Sequence, residues 1–136
     1  MNSKPFGFTV RVYYEDTDAG GVVYYANYLN FMERARTEWL AALGYPLAAF
    51  ERDNGVVFVV HRVEIDFLRP ARLNDALAVT VEVLDRGAAR LALRQAILRG
   101  DELLTDARVS LACVDKEALR PRRIPDALAA SLENTK

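Results

Sequence analysis

Cysteine is almost missing from this chain. Cys113 is the only one in 136 residues, so no intrachain disulfide can form and a stapled secreted scaffold is excluded. Histidine is as scarce: His61 stands alone, and one His with one Cys leaves too few soft ligands for an ordinary zinc site. No metal or other cofactor is expected. Positive charge is not in excess, since 18 Lys and Arg face 19 Asp and Glu. Nothing therefore drives binding to a phosphate backbone, and nucleic acid is not an expected partner. No apolar run approaches the roughly 18 residues that a membrane-spanning helix needs. Residues 1–8 lack the charged-then-apolar layout of a signal peptide. The expectation is a cytoplasmic protein without membrane insertion. Linkers rich in Gly, Ser or Pro, repeats and low-complexity tracts are also absent. What remains is 51% hydrophobic and 27% charged, the balance of a globular domain. The length suits one domain over 1–136, with short flexible tails at about 1–6 and 130–136.

The apolar residues carry two periods. Phe8, Val10, Val12 and Tyr14 alternate with Thr9, Arg11 and Tyr13, which reads as a strand. The acidic, glycine-bearing stretch 15–21 breaks it. After a short apolar run at 22–25, Asn27 is placed to cap a helix. Over the next 16 residues Tyr28, Phe31, Met32, Ala35, Trp39, Ala42 and Leu43 recur at spacings of three and four, an amphipathic helix that Gly44 and Pro46 stop. Period-two runs return at 56–68, 79–83, 88–98 and 108–113, separated by short turns at Arg86-Gly87 and Gly100-Asp101. Residues 125–132 suit a short last helix. Short turns cannot make parallel crossovers. The expected fold is therefore α+β, one long helix wrapped by a curved five- to six-stranded antiparallel sheet. The free edges of such a sheet favour pairing between copies.

Chemistry gathers at the acidic turn. Asp16 and Asp18 sit just ahead of a helix start, where unpaired N–H groups and a partial positive charge suit a developing oxyanion. A carboxylate beside such a place can act as general base, or as nucleophile on an activated acyl group. Acids in glycine turns also serve as plain turn-formers, which is the reading for Asp16. Glu33 and Glu38 read as solvent-facing or paired with Arg34 and Arg36. A Ser-His-Asp or Cys-His arrangement would have to use His61, which is far from the acidic turn in sequence. No G-x-S-x-G elbow is present, and Cys113 reads as buried packing.

Residues 11–40, RVYYEDTDAGGVVYYANYLNFMERARTEWL, resemble the hotdog-fold acyl-CoA thioesterases of the 4-hydroxybenzoyl-CoA thioesterase family, in the YbgC-like branch associated with the Tol-Pal system. FVVHRVEIDFLRPARLNDAL at 58–77 and RVSLACVD at 108–115 fit the same branch. The resemblance implies a hotdog fold and hydrolysis of acyl-CoA to a carboxylic acid and free CoA. It implies Asp18 as the catalytic carboxylate and the backbone N–H of Tyr25 as the group that polarises the carbonyl. Many members of the branch carry His at position 25, so proton transfer assigned to that His is lost here, while the amide survives. Gly20 and Gly21 would let the backbone approach the acyl group. By analogy along the same strand, Val60, His61 and Arg62 would contact the pantetheine arm or phosphates of CoA. Arg86 is a candidate for gripping the phosphates, together with Arg90, Arg120, Arg122 and Arg123.

Coenzyme A enters as part of the substrate, and acyl carrier protein is an alternative carrier. The expected assembly is a homodimer or a dimer of dimers, a homotetramer, with the site between subunits. Tyr24, Tyr25, Tyr28, Phe31 and Met32 are open to two readings, acyl pocket or core. Two other functions stay open: a non-catalytic acyl-binding or scaffold protein of the same fold, and a hydratase or dehydratase, which normally needs a His near the helix.

Overall fold

The structure, a computed structural model, describes residues 5–135. Strand β1 covers Phe6–Arg11, helix α1 Asn27–Ala42, helix α2 Leu47–Asn54, strand β2 Val56–Phe67, strand β3 Ala76–Arg86, strand β4 Arg90–Arg99, strand β5 Glu102–Asp115 and helix α3 Asp126–Thr135. The five strands form one antiparallel sheet in the order β1-β3-β4-β5-β2. The hotdog architecture expected from the sequence is present.

Alternation along the strands sorts the two faces. Val79, Val81 and Val83 of β3, Leu91, Leu93 and Ile97 of β4, and Val109, Leu111 and Cys113 of β5 are buried on the side that receives α1. Phe31 and Met32 of α1 lie on that core with no exposed surface, each contributing about 1.5–3 kcal/mol by burial. The opposite face carries a cross-strand charge row, in which Arg94 makes two hydrogen bonds to Asp106 at 2.9 and 3.2 Å and stands 4.0 Å from Glu82. Bulges bend the sheet. In β2 the register steps from Val60↔Leu111 to Arg62↔Ser110, leaving His61 as the extra residue. In β3 it steps past Leu84. Such bulges raise local twist, which a sheet wrapped on a helix requires.

Several expectations shift. β1 starts earlier and ends at Arg11, because Tyr14–Asp16 winds into a single 3-10 turn. Asn27 is not the helix cap. It is the first residue of α1, Ala26 holds the cap position in a helical conformation, and no side chain caps there. Helix α2 was not foreseen. Its apolar residues are few, yet Pro46 at its start and Gly55 at its left-handed end bracket it, and Phe50 buries against Phe58 with the rings stacked at 6.0 Å. β5 begins at Glu102, six residues before its alternating core. Of the tails, residues 1–4 and 136 lie outside the described residues. Phe6 is in β1, and α3 runs on to Thr135 with Leu132 buried. Among the described residues, no helix is long and apolar enough to cross a membrane.

Candidate active site

The acidic turn is a small hairpin with its own hydrogen-bond ladder. Tyr24 N donates to Asp16 O at 3.0 Å, Thr17 bridges Val23, Asp18 N donates to Val22 O at 3.0 Å, and Gly21 N closes the tip onto Asp18 O at 3.1 Å. Gly21 has φ +77°, a conformation that non-glycine residues rarely adopt. Asp18 therefore sits at the tip of the hairpin, and Tyr25 lies one residue past its base.

The two aspartates have separated roles. Asp16 is buried, its Oδ2 accepts from Tyr13 N at 2.9 Å, and its carbonyl accepts from Asn27 Nδ2 at 2.9 Å. It orders the turn, as read from the sequence. Asp18 is exposed. Its Oδ1 accepts from Gly20 N at 2.9 Å, which fixes the carboxylate, and its Oδ2 has no partner among the described residues. The result is a held carboxylate with one free oxygen, the form a general base or nucleophile takes.

The helix start leaves two donors free. Asn27, Tyr28 and Leu29 donate to the carbonyls of Tyr24, Tyr25 and Ala26, so the opening turn of α1 consumes its own amides. The N–H groups of Tyr25 and Ala26 have no acceptor among the described residues. These two amides are the ones available for a carbonyl oxygen. The loop 68–75 clamps the hairpin from the other side. Val23 N donates to Ala71 O at 2.9 Å, Leu73 N to Gly21 O at 3.2 Å, and Ala71 N to the Tyr28 hydroxyl at 3.0 Å.

Aromatic rings stand beside the hairpin. Tyr25, 63% exposed, lies 4.9 Å from Tyr24 and meets Phe67 edge-on at 6.3 Å. Phe67 also contacts Tyr28 at 5.6 Å. Of the five residues open to two readings, Tyr28, Phe31 and Met32 belong to the core, while Tyr24 and Tyr25 are exposed.

Similarity to known proteins bears on this site. Residues 12–132 match the thioesterase-like superfamily. The chain belongs to that family, in its YbgC-like branch. It is 42% identical over 136 residues to an acyl-CoA thioesterase YbgC of Haemophilus influenzae, covering 100% of both chains. It is 40% identical over 134 residues to an acyl-CoA thioester hydrolase YbgC of Escherichia coli, covering 98% of this chain and 99% of the relative. The crystal structure of a probable thioesterase from Bartonella henselae superposes with a TM-score of 0.84 at 37% identity, over 90% of this chain and 100% of that one.

Within this thioesterase-like fold, Gly20 and Gly21 share the hairpin with Asp18, while the other residues singled out from sequence do not join Asp18 and Tyr25 in one protomer. His61 and Arg62 line a hollow of about 270 Å³ with Asp85, Arg90 and Arg108, and neither Asp18 nor Tyr25 borders it. Val60 lines a different cavity. Arg86 is committed to Glu133 at 2.8 Å, Arg122 to Asp115 at 2.8 Å, and Arg123 to Asp126 at 3.4 Å. Cys113 is buried, and burial pushes its thiol up, against the lesser pull of Arg122, which disfavours the thiolate. Among the described residues no group of three or more His, Cys, Asp or Glu could hold a metal. Sequence reasoning missed Phe67. Its one signal was a second large apolar residue, Leu68, directly after it where the alternation should have switched to polar; both are exposed.

Proposed function

We propose that this chain hydrolyses acyl-CoA thioesters to a carboxylic acid and free CoA, with Asp18 as the catalytic carboxylate. The full-length similarity to acyl-CoA thioesterases supports the reaction class. The observation that carries the mechanism is a pinned carboxylate with a free oxygen at the hairpin tip and, one residue past the hairpin base, an amide at Tyr25 without an acceptor. The thioester carbonyl oxygen accepts from Tyr25 N–H. Asp18 takes a proton from water as the water oxygen bonds to the carbonyl carbon. The tetrahedral adduct collapses, the C–S bond breaks, and the thiolate leaves with the electron pair and takes up a proton. A direct attack by Asp18 Oδ2, giving an anhydride that water opens, uses the same atoms. The Tyr25 side chain is not needed as a base and serves to pack on the acyl group.

A second copy completes the site in this reading. β2 is an edge strand of twelve residues, and it exposes Val59, Val60 and Phe67, the last in contact with Tyr25. An unpaired edge beside exposed apolar side chains favours a homodimer through β2, or a dimer of dimers. Val60, His61, Arg62 and Arg86 are then the proposed contacts for the CoA arm, with Gly20 and Gly21 next to the acyl group. The reading places the protein in the cytoplasm, where acyl-CoA is found.

The test is thiol release from a panel of acyl-CoAs, with acyl carrier protein thioesters beside it. Asp18→Asn is expected to lower kcat by about 10²–10⁴-fold, the usual worth of acid–base catalysis. It should leave the sedimentation behaviour unchanged. Parent-level turnover in the variant refutes the role of Asp18. Label in the Asp18 carboxylate after a single turnover in heavy-oxygen water marks an anhydride opened at the Asp18 carbonyl, and hydroxylamine trapping of Asp18 during turnover detects an anhydride opened at the acyl carbon.

A further inference from the structure

A second feature lies farther along α1. Between α1, α2 and β2 is a cavity of about 340 Å³, walled by apolar side chains that include Trp39, Leu47, Phe58 and Leu111. Neither Asp18 nor Tyr25 lines it. One cation reaches into these walls: Arg36, partly buried.

Arg36 is held in place by a buried amide. Gln95 has no exposed surface although it stands on the apolar face of β4. Its Nε2 donates to the carbonyl of Met32 at 3.0 Å and that of Thr80 at 3.4 Å. Both partners are acceptors, which fixes the orientation of the amide and leaves Oε1 to Arg36 Nη1 at 2.9 Å. A guanidinium has five N–H donors, and this bond uses one. No carboxylate among the described residues is within ion-pairing distance of Arg36. Burial lowers its pKa, with the charge of Glu33 acting the other way. Glu33 and Glu51 also line the cavity, but neither pairs with the guanidinium. The remaining donors of this half-buried arginine face the cavity side and are left for water or an incoming anion.

We propose that this cavity binds a straight-chain carboxylate, its head on Arg36 and its chain along Trp39, Leu47 and Phe58. At about 30 Å³ per water-sized group, the volume holds roughly ten non-hydrogen atoms, the size of octanoate. The cavity shares Val60 with the contacts proposed for the CoA arm and Val59 with the proposed β2 dimer face, while Asp18 and Tyr25 lie outside it. It also shares a chemical class with the hydrolase reading, because a carboxylic acid is what thioester hydrolysis releases.

Trp39, the only tryptophan, reports directly on occupancy. Its fluorescence is titrated with octanoate, octan-1-ol and octylammonium, using the full-length protein in its own oligomeric state. Octanoate is expected to give a saturable change at least tenfold tighter than octanol, and Arg36→Met to abolish that preference. Arg36→Lys should restore part of it. No saturable octanoate response overturns the proposal, as does octanol binding equally well. Octylammonium binding more tightly than octanoate overturns it too, since Glu33 and Glu51 would then govern the cavity. These ligand comparisons need only the parent protein, so they decide the matter even if Arg36→Met does not fold. Asp18→Asn separates the two readings: it should bind octanoate as the parent does, whether or not it still hydrolyses thioesters.

Discussion

The hydroxyl of Tyr28 accepts a hydrogen bond from the amide of Ala71 at 3.0 Å, and both residues are buried. This one contact joins the first turn of α1 to the loop 68–75, and the same loop takes Val23 N and Gly21 O from the acidic hairpin. Helix start, hairpin and loop are therefore one mechanical unit, and its members should fail together.

Tyr28→Phe keeps the ring contacts to Phe31 and Phe67 but leaves the Ala71 amide buried and unpaired. An orphaned buried donor costs about 1–3 kcal/mol. The expected result is a lower urea midpoint at an unchanged m-value, and a reduced kcat with KM less affected. An unchanged midpoint would mean that the loop relaxes freely around the lost bond.

Asn27→Ala acts from the other side. It deletes the donor to Asp16 O and leaves that carbonyl with Tyr24 N alone. A stability loss of about 0.5–1.5 kcal/mol is expected for one neutral hydrogen bond. Backbone amide exchange should speed up at Asp18, Gly21 and Tyr24 and stay slow in β3 to β5. Uniform acceleration across the sheet would show that Asn27 supports the whole fold and not the hairpin.

The sequence made the sheet legible because Val, Leu and Ile alternate cleanly with Arg, Thr and Glu wherever one face meets α1 and the other meets water. Residues 88–98 are good helix formers, yet they formed a strand because β3 and β5 flank them, tertiary context outweighing propensity. Three things escaped. Helix α2 is eight residues with one buried apolar anchor, too short for a period to emerge. Asn27 stands where a cap is expected, yet its side chain donates to a more distant acceptor, the carbonyl of Asp16, eleven residues back. Gln95 was passed over, although it falls in phase with Leu91, Leu93 and Ile97, because its partners Met32, Thr80 and Arg36 are distant in sequence. The roles proposed for Asp18 and for the Tyr25 amide come from family resemblance; the structure adds that the Ala26 amide beside it is also without an acceptor among the described residues.

Acid should loosen the loop 68–75 before the rest of the fold. Burial alone would raise the pKa of Asp75, but the Arg72 amide at 2.8 Å and the Arg99 guanidinium at 2.7 Å bond its carboxylate and hold it below the ordinary value. A carboxyl depressed in the folded state contributes stability that is fully present above its unfolded pKa of about 4 and fades as pH falls through the folded value. Asp115, lowered mainly by the amides of Ala118 and Glu117, adds in the same direction. Asp75→Asn should therefore reduce Tm at pH 7 and flatten its decline below about pH 4. Parallel Tm curves for parent and variant over that range would refute the assignment.

The two glycines of the hairpin should separate backbone strain from contact with the carboxylate. At Gly21 the φ of +77° is the constraint, and a Cβ there would meet nothing within 4 Å. Gly21→Ala forces an L-residue into the left-handed region, at about 1–2 kcal/mol, and Gly21→Asn should recover part of that because Asn tolerates the region. At Gly20 a Cβ would lie 3.4 Å from Asp18 Oδ1, at ordinary contact distance and without a strained φ. Gly20→Ala should thus leave stability within about 0.5 kcal/mol, the usual range for a surface change, while setting a methyl group against the proposed catalytic carboxylate and slowing turnover. Denaturation midpoints and thiol-release rates for the three variants give the comparison. If Gly20→Ala and Gly21→Ala lost stability and activity in the same proportion, the hairpin would act only as a scaffold, and the position of the Asp18 carboxylate would not limit the rate.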